Sequence, residues 1–333
     1  MNSSPEHGAF NQPGHGAQLD PSMKEILALL AAEKSAALSL ENLPHMRAML
    51  DSLPLVFEAP GPGTEQVQNR TFQGSESRVN VRLYRTPNWT KKSGVLLFLH
   101  GGGHVMGSLE SHDRLCRKIT NAGGMMVCAV EYRLAPEHKF PSGLEDCIAA
   151  YQWLLDEVTG LGFPAAKVAI GGDSAGGNLG AATLQVIRER ELPTPSLQVL
   201  IYPALSYIKK TQSMHDFGNG YFLTLEDINF FRDAYLEDAS LWSDYRASPL
   251  EAVNFSGLPR TLIHTAACDP LRDHGALYAN RLSSAGVDVC YTEHPGMLHG
   301  FFNFTGRSSY ADRAVAKLSQ DIGLHLQASA VGA

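Results

Sequence analysis

The chain has little that would suit it to a disulfide scaffold, a membrane or a nucleic acid. Its five cysteines, Cys116, Cys128, Cys147, Cys268 and Cys290, are scattered through 333 residues without a CxxC pair, which argues against a disulfide framework or a cysteine-rich zinc module. Most sit in apolar surroundings, so we expect reduced, buried thiols in a cytoplasmic protein. There is no basic, apolar leader, and the early run ILALLAA is only seven residues, flanked by Lys24, Glu25, Glu33 and Lys34. That is too short for a signal peptide core with the right flanks or for a membrane span. Histidine and acidic residues form no group with metal-ligand spacing, and we expect neither metal nor cofactor. Basic runs are absent too. The net charge of -7, from 27 basic and 34 acidic residues, gives no electrostatic footprint for nucleic acid or an anionic membrane. The partner expected from these absences is a small molecule.

What is present is a long alternation of apolar strands and helices. The opening stretch, 1–20, is rich in Gly, Pro, Ser, Asn and His and should be mobile. From Asp20 to about Leu53 apolar residues recur at helical spacing, with Asp20 or Ser22 as a cap and Pro44 as an interruption, which predicts two amphipathic helices. After a Pro/Gly break, EQVQNRTF and RVNVRLYR alternate polar with apolar and predict paired edge strands. VLLFLH, MMVCAVEY, KVAIGGDS, LQVLIYP, TLIHTAACD and VDVCYTEH follow as compact apolar runs separated by helical stretches. Fully apolar strands alternating with helices predict a mostly parallel sheet with helices on both faces, an α/β fold. About sixty residues between LQVLIYP and TLIHTAACD break the rhythm, with a helix expected over YFLTLEDINFFRDAYLED. An excursion of that size at a strand end suggests a lid. The resulting division is a flexible segment 1–20, cap helices 21–60, core 61–204, cap insertion 205–245 and core 246–333.

The sharpest local signal is Gly172-Asp173-Ser174-Ala175-Gly176, placed between the strand KVAIG and a helical segment. This is the context of a nucleophile elbow, where a serine on a strained strand-to-helix turn needs small neighbours. A dinucleotide loop would read G-x-G-x-x-G, and neither GGDSAGGNLG nor HGGGHVMG does so. The second signal is His100-Gly101-Gly102-Gly103 at the end of VLLFLH. Glycines let backbone N–H groups converge on a developing oxyanion, so Gly102 and Gly103 are the expected donors, with Ala175 as the third. His100 fits better as a residue holding this loop than as a base.

A base and an orienting acid should follow the serine at the ends of later strands. Asp269 closes TLIHTAACD, and His299 stands in the loop PGMLHGFF. Asp273 competes with Asp269, but its place ahead of GALYANRL suits a helix N-cap. His294 competes with His299, but it belongs to a strand end and reads as structural.

With these residues in hand, the chain resembles the hormone-sensitive-lipase family of bacterial esterases, from about Val95 to Phe304. The shared motifs are HGGGHVMG, EYRLAPEHKFP, GGDSAGGNL, ASPL, DPLRD and PGMLHGFF. The resemblance implies an eight-stranded α/β-hydrolase core, a cap of N-terminal helices plus an insertion, and hydrolysis of short-chain esters. It implies Ser174, Asp269 and His299 as catalytic residues and Gly102, Gly103 and Ala175 as the oxyanion hole. His104, Tyr221, Phe222 and Leu298 are expected in the substrate pocket. His104 departs from the apolar residue that often follows HGGG, and His274 from the acidic residue that often follows DPLRD. The first should alter pocket polarity and the second only a helix start. An amidase or metabolite deacylase would use the same residues; a receptor that had lost the histidine would not retain His299. A small ester is the expected partner, and a homodimer is compatible with the sequence.

Overall fold

A computed structural model describes residues 18–33, 38–63, 66–90, 92–160 and 165–329. The segment 1–17, most of the stretch read above as mobile, lies outside the described residues. Eight strands form one sheet: β1 (Gln66–Gln73), β2 (Arg78–Arg85), β3 (Val95–Leu99), β4 (Met126–Glu131), β5 (Val168–Asp173), β6 (Leu197–Ile201), β7 (Arg260–Cys268) and β8 (Val289–Leu298). Their order is β1-β2-β4-β3-β5-β6-β7-β8. All neighbours from β4 to β8 are parallel, and β1-β2 and β2-β4 are antiparallel. Of the two strands expected at the edge only β1 is one. β2 pairs on both sides, from Gln66↔Arg85 to Gln73↔Arg78 with β1 and from Asn80↔Glu131 to Tyr84↔Val127 with β4. Its alternating exposure comes from a half-covered face and not from an open edge.

The two-residue period of β3 explains why helices cover both faces. Val95, Leu97 and Leu99 enter one core cluster, with Leu144 and Tyr151 of α4 (Ser142–Gly160) and Leu179 of α5 (Ala175–Glu189). Leu96 and Phe98 enter a second, with Leu115 and Ile119 of α3 (Asp113–Gly123) and Val315 and Leu318 of α9 (Ser309–Ala328). Every residue of β3 is buried, as a parallel strand between two helical layers requires. Four of the five cysteines are buried and all are free thiols, but Cys290 is exposed. β8 is the far edge of the sheet; Cys290 lies exposed near its start, while its last three residues are buried.

The N-terminal helices are α1 (Pro21–Glu33) and α2 (Leu43–Phe57). Asp20 accepts the Ser22 N–H at 2.8 Å at the start of α1. Pro44 does not interrupt a helix; it stands in the first turn of α2, where its missing N–H would have no partner anyway. The same helix runs through Pro54 to Phe57, beyond the expected end near Leu53. In 205–245 the structure has α6 (Gln212–Phe217) and α7 (Leu225–Tyr235). The latter starts four residues later than expected, because Thr224 and Asp227 form a capping box that fixes the first turn there. β8 is longer than expected, reaching Leu298 opposite Cys268 after an irregularity in the ladder. α8 (Arg272–Ser284) is the crossover between β7 and β8.

Candidate active site

At the end of β5 the chain turns sharply into α5, and Ser174 is the turn. Its backbone is strained, with φ 53° and ψ -116°, a region that side chains other than glycine rarely occupy. The turn is fastened by Ser174 N–H donating to Ile201 O of β6 at 2.8 Å. It is also crowded: a Cβ on Gly176 would lie 1.9 Å from Leu99 O, so only glycine lets α5 approach β3 this closely.

Two later strand ends deliver a base and an acid to that serine. His299 Nε2 is 2.9 Å from Ser174 Oγ, and His299 Nδ1 is 2.8 Å from Asp269 Oδ2. A carboxylate can only accept, so Nδ1 carries the proton and Nε2 is left to accept the serine O–H. Asp269 is fully buried, and Leu271 N–H donates to its other oxygen at 2.8 Å, fixing the carboxylate plane. Tyr202 meets the His299 ring edge-on, with centroids 4.8 Å apart.

The competing residues are occupied elsewhere. Asp273 is not a helix N-cap; it lies inside the first turn of α8, where its carboxylate accepts from Ser213 N at 2.8 Å and from Arg272 Nε at 2.9 Å. It thus ties α6 to α8. His294 is paired with His264 at 2.8 Å and approaches Tyr310 Oη at 3.2 Å. His274 does more than start a helix: its Nδ1 accepts Leu205 N–H at 3.3 Å, anchoring the beginning of the 205–245 excursion.

The glycine loop after β3 curls against the serine. Gly102 has φ 116° and Gly103 φ 65°, and a Cβ on Gly103 would lie 2.3 Å from the Phe231 ring of α7. His100 is buried, stacks on Tyr132 at 4.3 Å and bonds Gly101 O through Nδ1 at 2.8 Å. Burial, reinforced by the nearby His112, pushes its imidazole down to about 3, so it stays neutral.

Gly101 N–H donates to Asp173 Oδ1 at 2.8 Å, and His112 Nε2 stands 3.2 Å from the same oxygen. Burial alone would raise the Asp173 carboxyl, but the neighbouring His112 and the Gly101 N–H hold it below the usual carboxylate range. Reciprocally, burial would depress His112, and Asp173 raises it above the ordinary histidine value. This pair was not read from the sequence. Asp173 was in view only as a spacer in the serine motif, and nothing around His112 distinguishes it from a surface histidine.

A cavity of about 780 Å³ opens above Ser174. Its wall includes Leu27 of α1, Met46 and Leu53 of α2, Ile228 and Phe231 of α7, and His299. Of the four expected pocket residues, His104 and Phe222 line it. Leu298 is wholly buried in a core cluster and Tyr221 packs edge-on against Phe217 at 5.0 Å; neither is in the cavity wall. Leu298 is the last residue of β8 and points into the sheet's core, while the turn that follows carries His299 outward. His104 stacks flat on Tyr235 at 3.9 Å, and burial, with the neighbouring His100, pushes it down to about 3. Its effect on polarity is that of a neutral ring. Glu58, just past α2, also lines the cavity. It was missed because an isolated glutamate after a helix reads as solvent-facing.

Comparison with known proteins fits this geometry. Residues 96–303 match the family model described as alpha/beta hydrolase fold. The chain is 37% identical to the carboxylic ester hydrolase LipN of Mycobacterium tuberculosis, over 86% of this chain and 78% of that protein. It is 38% identical to an ethyl acetate hydrolase of Pseudomonas putida, over 74% and 78%. Among solved structures, an ester-hydrolase from the metagenome of Lake Arreo superposes with a TM-score of 0.87 at 38% identity, covering 92% of this chain and 99% of that one. A hyperthermophilic esterase from Pyrobaculum calidifontis superposes with a TM-score of 0.87 at 34% identity, covering 93% and 100%. The chain belongs to the alpha/beta hydrolase family. Within it, the chain is a member of the hormone-sensitive-lipase-like group.

Proposed function

We propose that Ser174, His299 and Asp269 form the catalytic triad of a carboxylesterase acting on short-chain acyl esters. The protein is a carboxylic ester hydrolase. The observation that carries the triad is the continuous chain Asp269–His299–Ser174, at 2.8 and 2.9 Å, on a strained elbow that lines the cavity. His299 Nε2 takes the serine proton as Oγ attacks the ester carbonyl, and Asp269 stabilises the imidazolium. The Gly102, Gly103 and Ala175 N–H groups receive the oxyanion, at the head of α5 whose dipole favours negative charge. Expulsion of the alcohol leaves an acyl-Ser174, and water deprotonated by His299 releases the acid.

In this reading 21–60 and 205–245 act as the cap. Residues of α1, α2 and α7 share one cavity with the serine, which supports the division. The cap limits the acyl chain: each methylene that fits contributes up to roughly 0.8 kcal/mol of burial, and the gain ends where the chain meets the cap. We expect acetyl to hexanoyl esters to lead, and the ethyl acetate hydrolase among the relatives supports small substrates. The test is kcat/KM across acyl lengths; faster hydrolysis of emulsified long-chain triglycerides than of soluble butyrate esters would replace this reading with a lipase. Among the described residues no helix is long and apolar enough to cross a membrane. A cytoplasmic location belongs to the same reading, supported by five free thiols. One chain supplies every group of the site, so the reading does not require a homodimer.

A further inference from the structure

His112 and Asp173 form a buried ionisable pair beside the site that the triad chemistry does not use. Their side chains are 5% and 4% exposed, with His112 Nε2 3.2 Å from Asp173 Oδ1. That oxygen also accepts the Gly101 N–H at 2.8 Å. Asp173 immediately precedes Ser174, and Gly101 immediately precedes the expected donor Gly102. One carboxylate thus joins the elbow after β5 to the glycine loop after β3.

The polar contacts around the His112 ring fix its protonation. A carboxylate only accepts, so the Nε2 that faces Asp173 carries a proton. On the other side, Nδ1 lies 2.8 Å from Ser111 Oγ. Ser111 has one hydroxyl proton, and it is directed at Ser108 O, 3.0 Å away. Its oxygen is then left to accept, as it does from Ser108 N–H at 2.8 Å, and Nδ1 donates to it. Both ring nitrogens donate only in an imidazolium.

We propose that His112 is a positioning residue for the oxyanion hole, a buried imidazolium that holds the Asp173 carboxylate on the Gly101 N–H. The inference rests on the esterase reading above. Burial opposes a charge on the ring, as does the head of α3, where His112 is the N-cap residue. Asp173 favours the charge, followed by Glu58 after α2 and Asp51 within it, and the ring is raised above the ordinary histidine value. His100, at the end of β3, is pushed down to about 3 by burial and by His112, and stays neutral. Loss of the His112 proton leaves Asp173 a buried anion without its cation, a strongly unfavourable state. The carboxylate then leaves Gly101, or stays and opposes the negative charge that develops on the oxyanion nearby. Either way kcat falls.

Two readouts test this: the ring-nitrogen resonances of labelled histidine by NMR, and kcat and KM on a soluble butyrate ester from about pH 6 to 10. In the wild type both His112 ring nitrogens should be protonated at about pH 7.5, where an ordinary histidine is mostly neutral. Wild-type kcat should fall as pH rises through the same titration, with little change in KM. That limb runs opposite to the acid limb expected of a histidine base. His112→Gln should lower kcat by about tenfold to a hundredfold at pH 7. It should also abolish the alkaline limb, so that the two proteins converge at high pH. Ser111→Ala, which removes the acceptor of Nδ1–H, should move the resonance and the limb together to lower pH. Glu58→Gln should keep the limb. A neutral His112 at pH 7 would overturn the proposal, as would a kcat that ignores its titration. So would a limb that survives in His112→Gln or vanishes in Glu58→Gln. If His112→Gln does not fold, separate movement of resonance and limb in Ser111→Ala would do the same. Hydrolysis of the butyrate ester itself reports separately on the esterase reading.

Discussion

Asp269 and His299, 30 residues apart in the chain, meet at 2.8 Å, while Asp273, four residues beyond Asp269, turns away to Ser213 and Arg272. That contrast makes Asp269, and not Asp273, the aspartate of the proposed triad. Asp269→Asn should lower kcat on a soluble butyrate ester by about 10³ to 10⁴-fold, because an amide facing Nδ1 favours the wrong imidazole tautomer. Asp273→Asn should cost less than about tenfold in kcat and should instead lower the melting temperature, since it leaves Arg272 buried with a weakened partner. Equal losses of turnover would assign the wrong aspartate.

The glycine loop offers a test by crowding. A methyl on Gly103 meets both a positive φ and the Phe231 ring at 2.3 Å. Gly103→Ala should reduce kcat by about 10²-fold with a smaller change in KM, as expected when an oxyanion donor is displaced. Adding Phe231→Ala should recover part of the loss by making room. If Gly103→Ala keeps wild-type turnover, the loop does not position the donor.

Glu58 makes stability depend on pH in a defined direction. Its carboxyl titrates near 4.5 when unfolded and is pushed up to about 8 in the fold by burial. Between those values the folded chain binds the extra proton, so this group's contribution to stability falls as pH rises and levels off above 8. Glu58→Gln removes the dependence. Relative to wild type, the variant should gain on the order of a few kcal/mol between about pH 5 and 8.5. Thermal unfolding at the two pH values checks this; a difference that stays constant with pH would mean the carboxyl is hydrated and ordinary.

Much of this was legible beforehand because the informative residues sit where local pattern and chemistry coincide. The buried strands VLLFL and LQVLI announce a parallel sheet by their lack of alternation. Ser174 announces itself because an elbow requires small residues around it, and Asp269 and His299 because they end strands. Elements set by contacts distant in sequence were not legible. Leu298 was placed in the pocket because strand ends are uncertain by a few residues, and the extension of β8 to Cys268's level buries it. Pro44 looks like a break until the start of α2 is known. His112 and Glu58 come from separate segments, and only the folding of α2 and α3 against the end of β5 puts both beside Asp173.

The central claim is that Ser174 Oγ is the nucleophile, and one substitution tests it. Ser174→Ala deletes a single hydroxyl on an elbow held by the backbone bond to Ile201, so the variant should fold with an unchanged circular dichroism spectrum. Its turnover on a butyrate ester should fall by about 10⁶-fold, leaving only what the oxyanion donors and binding contribute. A correctly folded Ser174→Ala protein that keeps most of its esterase activity would contradict the account.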